Sequence, residues 1–239
     1  MNQEYQRFLK RYERKFTPVI YRAIKQQVDE YLRTKDLNSI KSEPIFKALE
    51  KLYLESGSIW AAKSDKQIRR ALRLPRTEGG FGARIARLIR EQYGPDILNM
   101  SENITQTTKD RIQTLLKDAV NTQLSIFETS QLIRAEGVTE ARSRVIARTE
   151  TIRASNAAAE ANAKDKGYII KKKWFAAMDN RTRHDHKKLD GQVVDLYGYF
   201  SVTDKNGVRQ NLGFPGDTSL GADPAETINC RCSLQYVTK

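Results

Sequence analysis

The sequence lacks the features that identify several large classes of protein. Its two cysteines, Cys230 and Cys232, stand two positions apart and are poorly placed for a mutual disulfide. No apolar run approaches the roughly 18 residues that a membrane span requires. The first residues (MNQE) lack the basic start and apolar stretch of a secretory signal. These absences predict a chain that is neither secreted nor membrane-spanning and that folds in a reducing cytoplasm.

Signatures of the common enzyme classes are also missing. There is no phosphate-binding glycine loop before a helix, no dinucleotide fingerprint, and no Ser/His/Asp set with a separate histidine. Histidine occurs only at His184 and His186. A metal-dependent nuclease would need a general-base histidine apart from its metal ligands, and two histidines in one tripeptide leave little room for both roles. The sequence therefore favours a non-enzymatic protein.

Positive charge is abundant. The chain carries 42 Lys+Arg against 29 Asp+Glu, a formal net charge of +13. A polyanion such as double-stranded DNA is a natural neighbour for such a chain, because neutralised phosphates release counterions. The basic residues are spread along the sequence, however, so that simple solvation of helices explains the charge equally well.

The first hundred residues carry helical periodicity. Apolar side chains recur at three-to-four spacing from Tyr5 to Phe16, and the stripe resumes at Val19. Thr17-Pro18 predicts either two consecutive helices or one kinked helix. Gly94-Pro95 predicts a helix end and, with it, a domain boundary. We therefore expect a mainly helical N-terminal region, residues 1–95.

The remainder changes character after Gly167. Helical patterns fill residues 101–167 and end in a long alanine-rich helix from Glu140, whereas residues 168–239 hold short β-prone segments and tight-turn dipeptides such as Asp190-Gly191. The sequence thus predicts an α+β fold, in which a helical region precedes a C-terminal module (96–239) of helices and a small antiparallel sheet.

The two histidines and two cysteines form a candidate metal site. Each pair has i, i+2 spacing, which places both side chains on one side of an extended backbone. Two extended pairs could offer His184, His186, Cys230 and Cys232 to a tetrahedral structural Zn²⁺. The alternatives are buried, inert thiols and ordinary surface histidines, and the C-x₂-C spacing of zinc knuckles is absent.

Two further clusters have both a plain and a specific interpretation. Arg148-Thr149-Glu150 in the alanine-rich helix is either an exposed stretch with ordinary ion pairs or a partly buried Arg–carboxylate contact that docks the helix on the sheet, for example to Asp179 or Asp190. Basic side chains suited to phosphate contact follow at Lys171, Lys172, Lys173, Arg181 and Arg183. Trp174, beside them, is expected in the core, because strand alternation places it opposite Lys173.

In order, these segments resemble the phage Mu F-like head-morphogenesis family. Three blocks carry the resemblance: Ile146–Thr151 with Arg153 and Asn156; Lys173-Trp174 with Asp179, Arg181, Thr182, Arg183, His186, Leu189, Asp190 and Gly191; and Pro215-Gly216-Asp217 with Glu226, Ile228, Asn229, Cys230, Arg231 and Cys232. Residues 1–100 carry no matching motif. The family pattern contains His186 but leaves His184 free, so that the fourth metal ligand is His184 or a nearby aspartate.

The resemblance implies a minor head protein, a structural component of the virion. Such a protein would lie in the capsid interior or near the portal, contact the portal, major capsid or scaffold proteins, and touch packaged DNA without sequence specificity. The alternative is a metal-dependent nuclease built on the His184/His186 and Cys230/Cys232 cluster. We also expect residues 1–95 to make the protein contacts, so that their deletion would leave a folded C-terminal domain.

Overall fold

A computed structural model describes residues 2–75, 79–203 and 207–238. Its helices and strands, in chain order, are α1 (Asn2–Thr34), a 3₁₀ turn (Leu37–Ser39), α2 (Glu43–Leu52), a π turn (Tyr53–Gly57), α3 (Ser58–Ala71), α4 (Phe81–Asn121), α5 (Ile126–Glu136), α6 (Glu140–Asp165), β1 (Lys171–Phe175), α7 (His184–Lys188), β2 (Val193–Asp195), β3 (Phe200–Thr203), β4 (Arg209–Leu212), α8 (Pro224–Thr227) and β5 (Ser233–Val237). This is the α+β fold that the sequence predicts.

The chain forms two compact units that interleave along the sequence. Unit 1 comprises residues 1–12, 52–93 and 148–239, and unit 2 comprises residues 13–51 and 94–147. Both units draw on segments from either side of residue 95, so that they do not coincide with the predicted regions 1–95 and 96–239. The functional division at residue 95 stays a prediction.

Two prolines lie inside helices. Pro18 falls within the single helix α1, so that the Thr17-Pro18 step does not separate two helices. Pro95 falls within α4, and the predicted helix end at Gly94-Pro95 is therefore wrong. An interior proline removes one backbone hydrogen bond and crowds the preceding turn. Burial of Ile89 and Ile97, one on each side of Pro95, favours continuing the helix across it.

Unit 2 is held by its own polar contacts. Gln27 donates hydrogen bonds to Thr105 and to the carbonyl of Lys41. The guanidinium of Arg142 reaches the hydroxyls of Thr107 and Thr108. A capping box at Ser125 and Glu128 begins α5, as helix-start chemistry predicts.

In unit 1, α6 is buried on all sides. From Arg148 onward almost every side chain of this helix is inaccessible, including six alanines, Ala154, Ala157, Ala158, Ala159, Ala161 and Ala163. Small side chains let neighbouring backbones approach closely. A Cβ added at Gly57, in the π turn, would lie 3.0 Å from the Ala158 Cβ and 3.1 Å from the Ala154 carbonyl oxygen. The alanine-rich sequence of α6 thus belongs to a helix at the centre of the unit, and not to a helix exposed to solvent.

Two small antiparallel sheets complete unit 1. The strand order is β2-β1-β5 in the first, and β3 pairs with β4 in the second. Trp174 on β1 is fully buried and meets Phe200 on β3 edge-on, with ring centroids 5.2 Å apart. This confirms the core position expected for Trp174. No helix among the described residues has both the length and the apolar character needed to cross a membrane.

Candidate metal centre and motif contacts

The structure brings His186, Cys230 and Cys232 together. The Nδ1 atom of His186 lies 3.5 Å from the Cys230 sulfur and 3.7 Å from the Cys232 sulfur. One ligand atom from each of the three lies within 4.8 Å of the others, and all three side chains are buried. The cysteines directly precede β5, whereas the histidine is carried by α7. Two segments that are 44 residues apart therefore meet at one donor cluster.

His184 is not part of this cluster. The sequence prediction placed both histidines on an extended backbone, but residues 184–188 form the short helix α7. Residues two apart on a helix point about 200° apart, given 3.6 residues per turn, so that only one of the pair can face the core. The imidazole of His184 is 79% exposed. The predicted four-ligand set therefore loses His184, and three of its residues lie together.

The three donors have the spacing of a metal site. Zinc binds Cys sulfur at about 2.3 Å and His nitrogen at about 2.0–2.1 Å, which in tetrahedral geometry separates the two ligand atoms by about 3.6 Å. The observed nitrogen–sulfur distances of 3.5 and 3.7 Å match that value. Soft thiolates with an imidazole suit zinc and related transition metals, not Mg²⁺ or Ca²⁺. The residues present thus fit such an ion.

The two thiols influence each other's pKa in opposite directions. A hydrogen bond between the thiols raises the pKa of Cys230 and lowers that of Cys232. His186 and a hydrogen bond with the Ala177 backbone lower the pKa of Cys232 further. Burial raises the pKa of both thiols. Arg183 favours the thiolate form of Cys230 by its charge. One thiolate is therefore favoured in this pair, and a thiolate is the form that binds a metal.

Burial of the cluster weighs against the nuclease alternative. His186 is 1% exposed, and the ring of Trp174 stands edge-on to it at 5.3 Å. A nuclease must bring a phosphate and a water molecule to its metal. A cation at this position would be enclosed by the core of unit 1, which is the setting of a structural metal.

The first motif block docks directly on the last. Arg148 donates to the Asn229 side-chain oxygen at 3.0 Å, and the hydroxyl of Thr149 accepts a hydrogen bond from the Asn229 backbone N–H, also at 3.0 Å. Arg148 and Thr149 therefore contact the segment that precedes β5, and the hydrogen bond of Arg148 is to an amide. The sequence analysis expected a carboxylate, that of Asp179 or Asp190, as the partner of Arg148.

Glu150 belongs to a buried ion pair. Its carboxylate accepts two hydrogen bonds from Arg153 at 2.8 and 2.9 Å and one from the Tyr53 hydroxyl at 2.9 Å. Arg153 also donates to the carbonyl of Gly216 at 2.8 Å. Gly216 has φ +86°, a conformation that other residues rarely adopt. A Cβ added there would lie 3.6 Å from the Cα and N atoms of Arg153. The ion pair thus joins the first block to the Pro215-Gly216-Asp217 turn.

Asp179 is the acceptor of the middle block. Arg231 donates to both of its oxygens, and the backbone N–H of Arg181 and the hydroxyl of Thr182 donate to one of them. Burial alone would raise the pKa of Asp179, but these hydrogen bonds together hold it below its ordinary value. Arg183 donates to the Ile228 carbonyl at 2.6 Å. The middle block therefore holds the segment that carries the cysteines.

Asp190 and Gly191 shape the end of α7. The Asp190 carboxylate accepts the backbone N–H of Ala176 at 2.8 Å, and Gly191, with φ +81°, donates its N–H to the Trp174 carbonyl. This pair therefore returns the chain from α7 to β1. Gly191 has the positive φ typical of a turn, whereas Asp190 bonds to a residue 14 positions earlier in the chain.

Of the five predicted DNA-contacting residues, Lys172 is misassigned. Strand alternation turns it inward, where it is fully buried and pairs with Glu160, and it donates to the Gly213 carbonyl at 2.7 Å. Burial lowers the pKa of Lys172, against the attraction of Glu160. Lys171, Lys173 and Arg181 remain partly or fully exposed, whereas Arg183 is engaged with Ile228.

Two site residues were not singled out by sequence reasoning. Glu226 places a carboxylate oxygen 3.2 Å from Nε2 of His186. Asn156 donates to the Pro215 carbonyl and accepts the Leu234 N–H, tying α6 to β5. Both stand within the motif blocks, so that their position in the pattern was the available signal. Their contact partners depend on long-range folding.

Comparison with known proteins identifies one family and two relatives that match part of the chain. A family model described as phage Mu protein F like protein matches residues 101–235. The minor head protein GP7 of Bacillus phage SPP1 is 37% identical over 99 residues, which are 41% of this chain and 30% of that protein. The NAD(+)–arginine ADP-ribosyltransferase EFV of Enterococcus faecalis is 35% identical over 91 residues, 37% of this chain and 17% of the relative. No solved structure matches the chain significantly.

Proposed function

The chain belongs to the family of phage Mu protein F-like proteins, and on that premise we propose that it is a minor head protein acting in procapsid assembly. The observation that carries the proposal is that residues of all three motif blocks contact one another within unit 1, through Arg148, Arg153, Asp179 and Arg183. The matched segment spans less than a third of either curated relative. The role of the whole protein is therefore inferred from the shared module and from the relative named a minor head protein.

We place the protein in the virion, inside the capsid or at the portal, after assembly in the host cytoplasm. Its proposed partners are the portal protein, the major capsid or scaffold proteins, and packaged DNA. The net charge of +13 supports the DNA contact, since a protein packed beside a polyanion gains by neutralising phosphates. We further propose that residues within 1–95 make the protein contacts, and that His186, Cys230 and Cys232 hold a structural zinc ion.

Assembly into the head is the direct test of this function. When the chain is produced together with portal, major capsid and scaffold proteins, it is expected to copurify with procapsids in far fewer copies than the major capsid protein. Omitting the portal should abolish incorporation while shells still form, if the portal is the partner. Incorporation without the portal would mean that the chain binds the shell proteins. Absence of the chain from complete procapsids would contradict the head function.

Point variants within the same assay test the proposed role of residues 1–95. Arg14 and Arg22 are exposed on α1, so that Arg14→Glu with Arg22→Glu alters the surface and leaves the core intact. We expect this double variant to lower incorporation. The matched control reverses two exposed charges outside this region, Lys187→Glu with Lys188→Glu. Equal incorporation of both variants would contradict the proposal that residues 1–95 make the protein contacts.

Sequence-neutral DNA binding is expected to depend on exposed basic residues only. Replacing Lys171, Lys173 and Arg181 with glutamine should weaken binding to duplex DNA and lower the slope of log K against log salt by up to about 2.7, at roughly 0.9 for each lost phosphate contact. Titrations of a fluorescent duplex at several salt concentrations measure both quantities. The control neutralises three exposed basic residues on and after α3, Lys66, Arg70 and Arg73. An equal loss in both variants would contradict a local DNA surface.

A further inference from the structure

The two ring nitrogens of His186 have different neighbours. Nδ1 faces the sulfur atoms of Cys230 and Cys232, whereas Nε2 lies 3.2 Å from the Oε2 atom of Glu226. All four residues are 5% exposed or less. The imidazole therefore stands between a pair of thiols on one side and a carboxylate on the other.

Neither Nε2 of His186 nor Oε2 of Glu226 forms a hydrogen bond with any described residue, so that their 3.2 Å contact is a close approach of two buried polar atoms. An unpaired buried carboxylate is costly, because it loses its hydration without compensation. The position of Glu226 is fixed by local chemistry: Asp223 caps the one-turn helix α8 by accepting the Ala225 N–H, and Pro224 begins it. The fold thus holds a carboxylate in the core next to one imidazole nitrogen.

We propose that Glu226 is a positioning residue for a metal ion at this centre: its carboxylate keeps the imidazole proton on Nε2, so that the Nδ1 lone pair and the two cysteine sulfurs bind one Zn²⁺-class cation. This inference rests on the proposed metal site and specifies its ligand atoms. Carboxylates that accept the second N–H of a ligating histidine fix its tautomer and orientation and raise its basicity. Each sulfur ligates as thiolate, so that any thiol proton still present leaves for solvent when the cation binds.

The other acidic candidates near the cluster have different roles. Asp179, an aspartate of the kind expected to complete the site, is bound on both oxygens by Arg231. Asp185 follows His184 on α7 and lies 3.7 Å from the exposed imidazole of that residue. Glu226 is therefore the carboxylate that the structure places against the ligating histidine, on the nitrogen facing away from the sulfurs.

The test uses the full chain, stripped of metal by a chelator under reducing conditions. Titration with Co²⁺ should give one equivalent bound, with the sulfur-to-cobalt charge-transfer absorption of a thiolate site. Competition between Zn²⁺ and a chromophoric chelator then measures the zinc affinity. Glu226→Gln and Glu226→Ala are expected to weaken that affinity roughly 10- to 100-fold, as do comparable changes in other histidine–metal sites.

A second buried carboxylate supplies the control. Glu160 is as buried as Glu226, lies in the same unit and pairs with Lys172, away from the cysteines. Glu160→Gln should lower the stability of the protein without changing the zinc affinity. A loss of zinc affinity in Glu160→Gln as large as in Glu226→Gln would mean that Glu226 acts only through general stability.

The outcomes separate the inference from the site on which it rests. Failure of the wild-type chain to bind Co²⁺ or Zn²⁺ would remove the metal site and the inference together. Stoichiometric binding by the wild type, with unchanged affinity in both Glu226 variants, would keep the site and overturn the positioning role. If either variant does not fold, Glu226→Asp replaces it: a weaker zinc affinity with thiolate absorption retained supports the inference, and unchanged affinity overturns it.

Discussion

Deleting residues 1–95 is expected to leave residues 96–239 without a cooperatively folded structure. Residues 1–12 and 52–93 belong to unit 1 together with the motif-bearing residues 148–239. The hydroxyl of Tyr5 bonds to Ser155 at 2.8 Å, and the Gln6 side chain donates to the Arg231 carbonyl at 3.0 Å. Deletion would uncover the apolar and polar surface of α6 at once. The contacts therefore favour the opposite of what the sequence led us to expect.

The aromatic cluster of unit 1 explains the size of this effect. The ring of Trp60 lies 4.5 Å from that of Tyr5 and 5.0 Å from that of Phe8, measured between centroids, and is almost fully buried. Replacing a buried tryptophan with alanine costs about 3–5 kcal/mol. Trp60→Ala in the full chain should lower the free energy of unfolding by that amount.

Equilibrium denaturation and near-UV circular dichroism measure both effects. The neighbouring Ile59 is partly exposed, and Ile59→Ala on the same helix should change stability far less. A sharp unfolding transition in isolated residues 96–239, close to that of the full chain, would show that the N-terminal segments are dispensable for the module.

Arg153→Met is the single change expected to destabilise unit 1 most through its polar contacts. It removes the partner of the buried Glu150 carboxylate and the donor to Gly216. Removing one member of a buried ion pair costs about 3–5 kcal/mol, because the remaining charge is left without compensation. Urea or guanidinium titration should show a correspondingly lower free energy of unfolding.

A surface ion pair in the same unit provides the comparison. Arg87 and Glu91 pair on α4 with both side chains more than half exposed, and Arg87→Met should cost less than about 1 kcal/mol. In addition, replacing both Glu150 and Arg153 with apolar residues should recover part of the loss. Equal costs for Arg153→Met and Arg87→Met would contradict the structural role of the buried pair.

Local chemistry and motif order were predictable from the sequence, whereas the partners of each motif were not. His186, Cys230 and Cys232 lie together as the pattern predicted, but His184 was assigned from i, i+2 spacing, which depends on backbone conformation. Residues 184–188 are too short a stretch for periodicity to distinguish a helical turn from a strand. The sequence analysis expected carboxylate partners for Arg148, whereas its hydrogen bond is to the amide of Asn229. A guanidinium can be satisfied by an amide as well as by a carboxylate.

The larger difference between the predicted and the observed structure lies in how the chain is divided into units. Hydrophobic periodicity showed which face of α1 is buried, but it carries no information on what that face packs against. Tyr5 and Ser155, which share a hydrogen bond, are 150 positions apart. Proline and glycine at residues 94–95 indicated a helix end because their intrinsic preferences oppose a helix, and tertiary burial on both sides outweighs those preferences.

The contact between Gln6 and Arg231 has a consequence for biosynthesis. The two residues are 225 positions apart, and at roughly 5–20 residues per second the ribosome needs about 10 to 45 s to deliver the second after the first. During that interval the aromatic face of the first helix has none of its late partners. The motif-bearing unit can therefore close only after nearly the whole sequence has been translated.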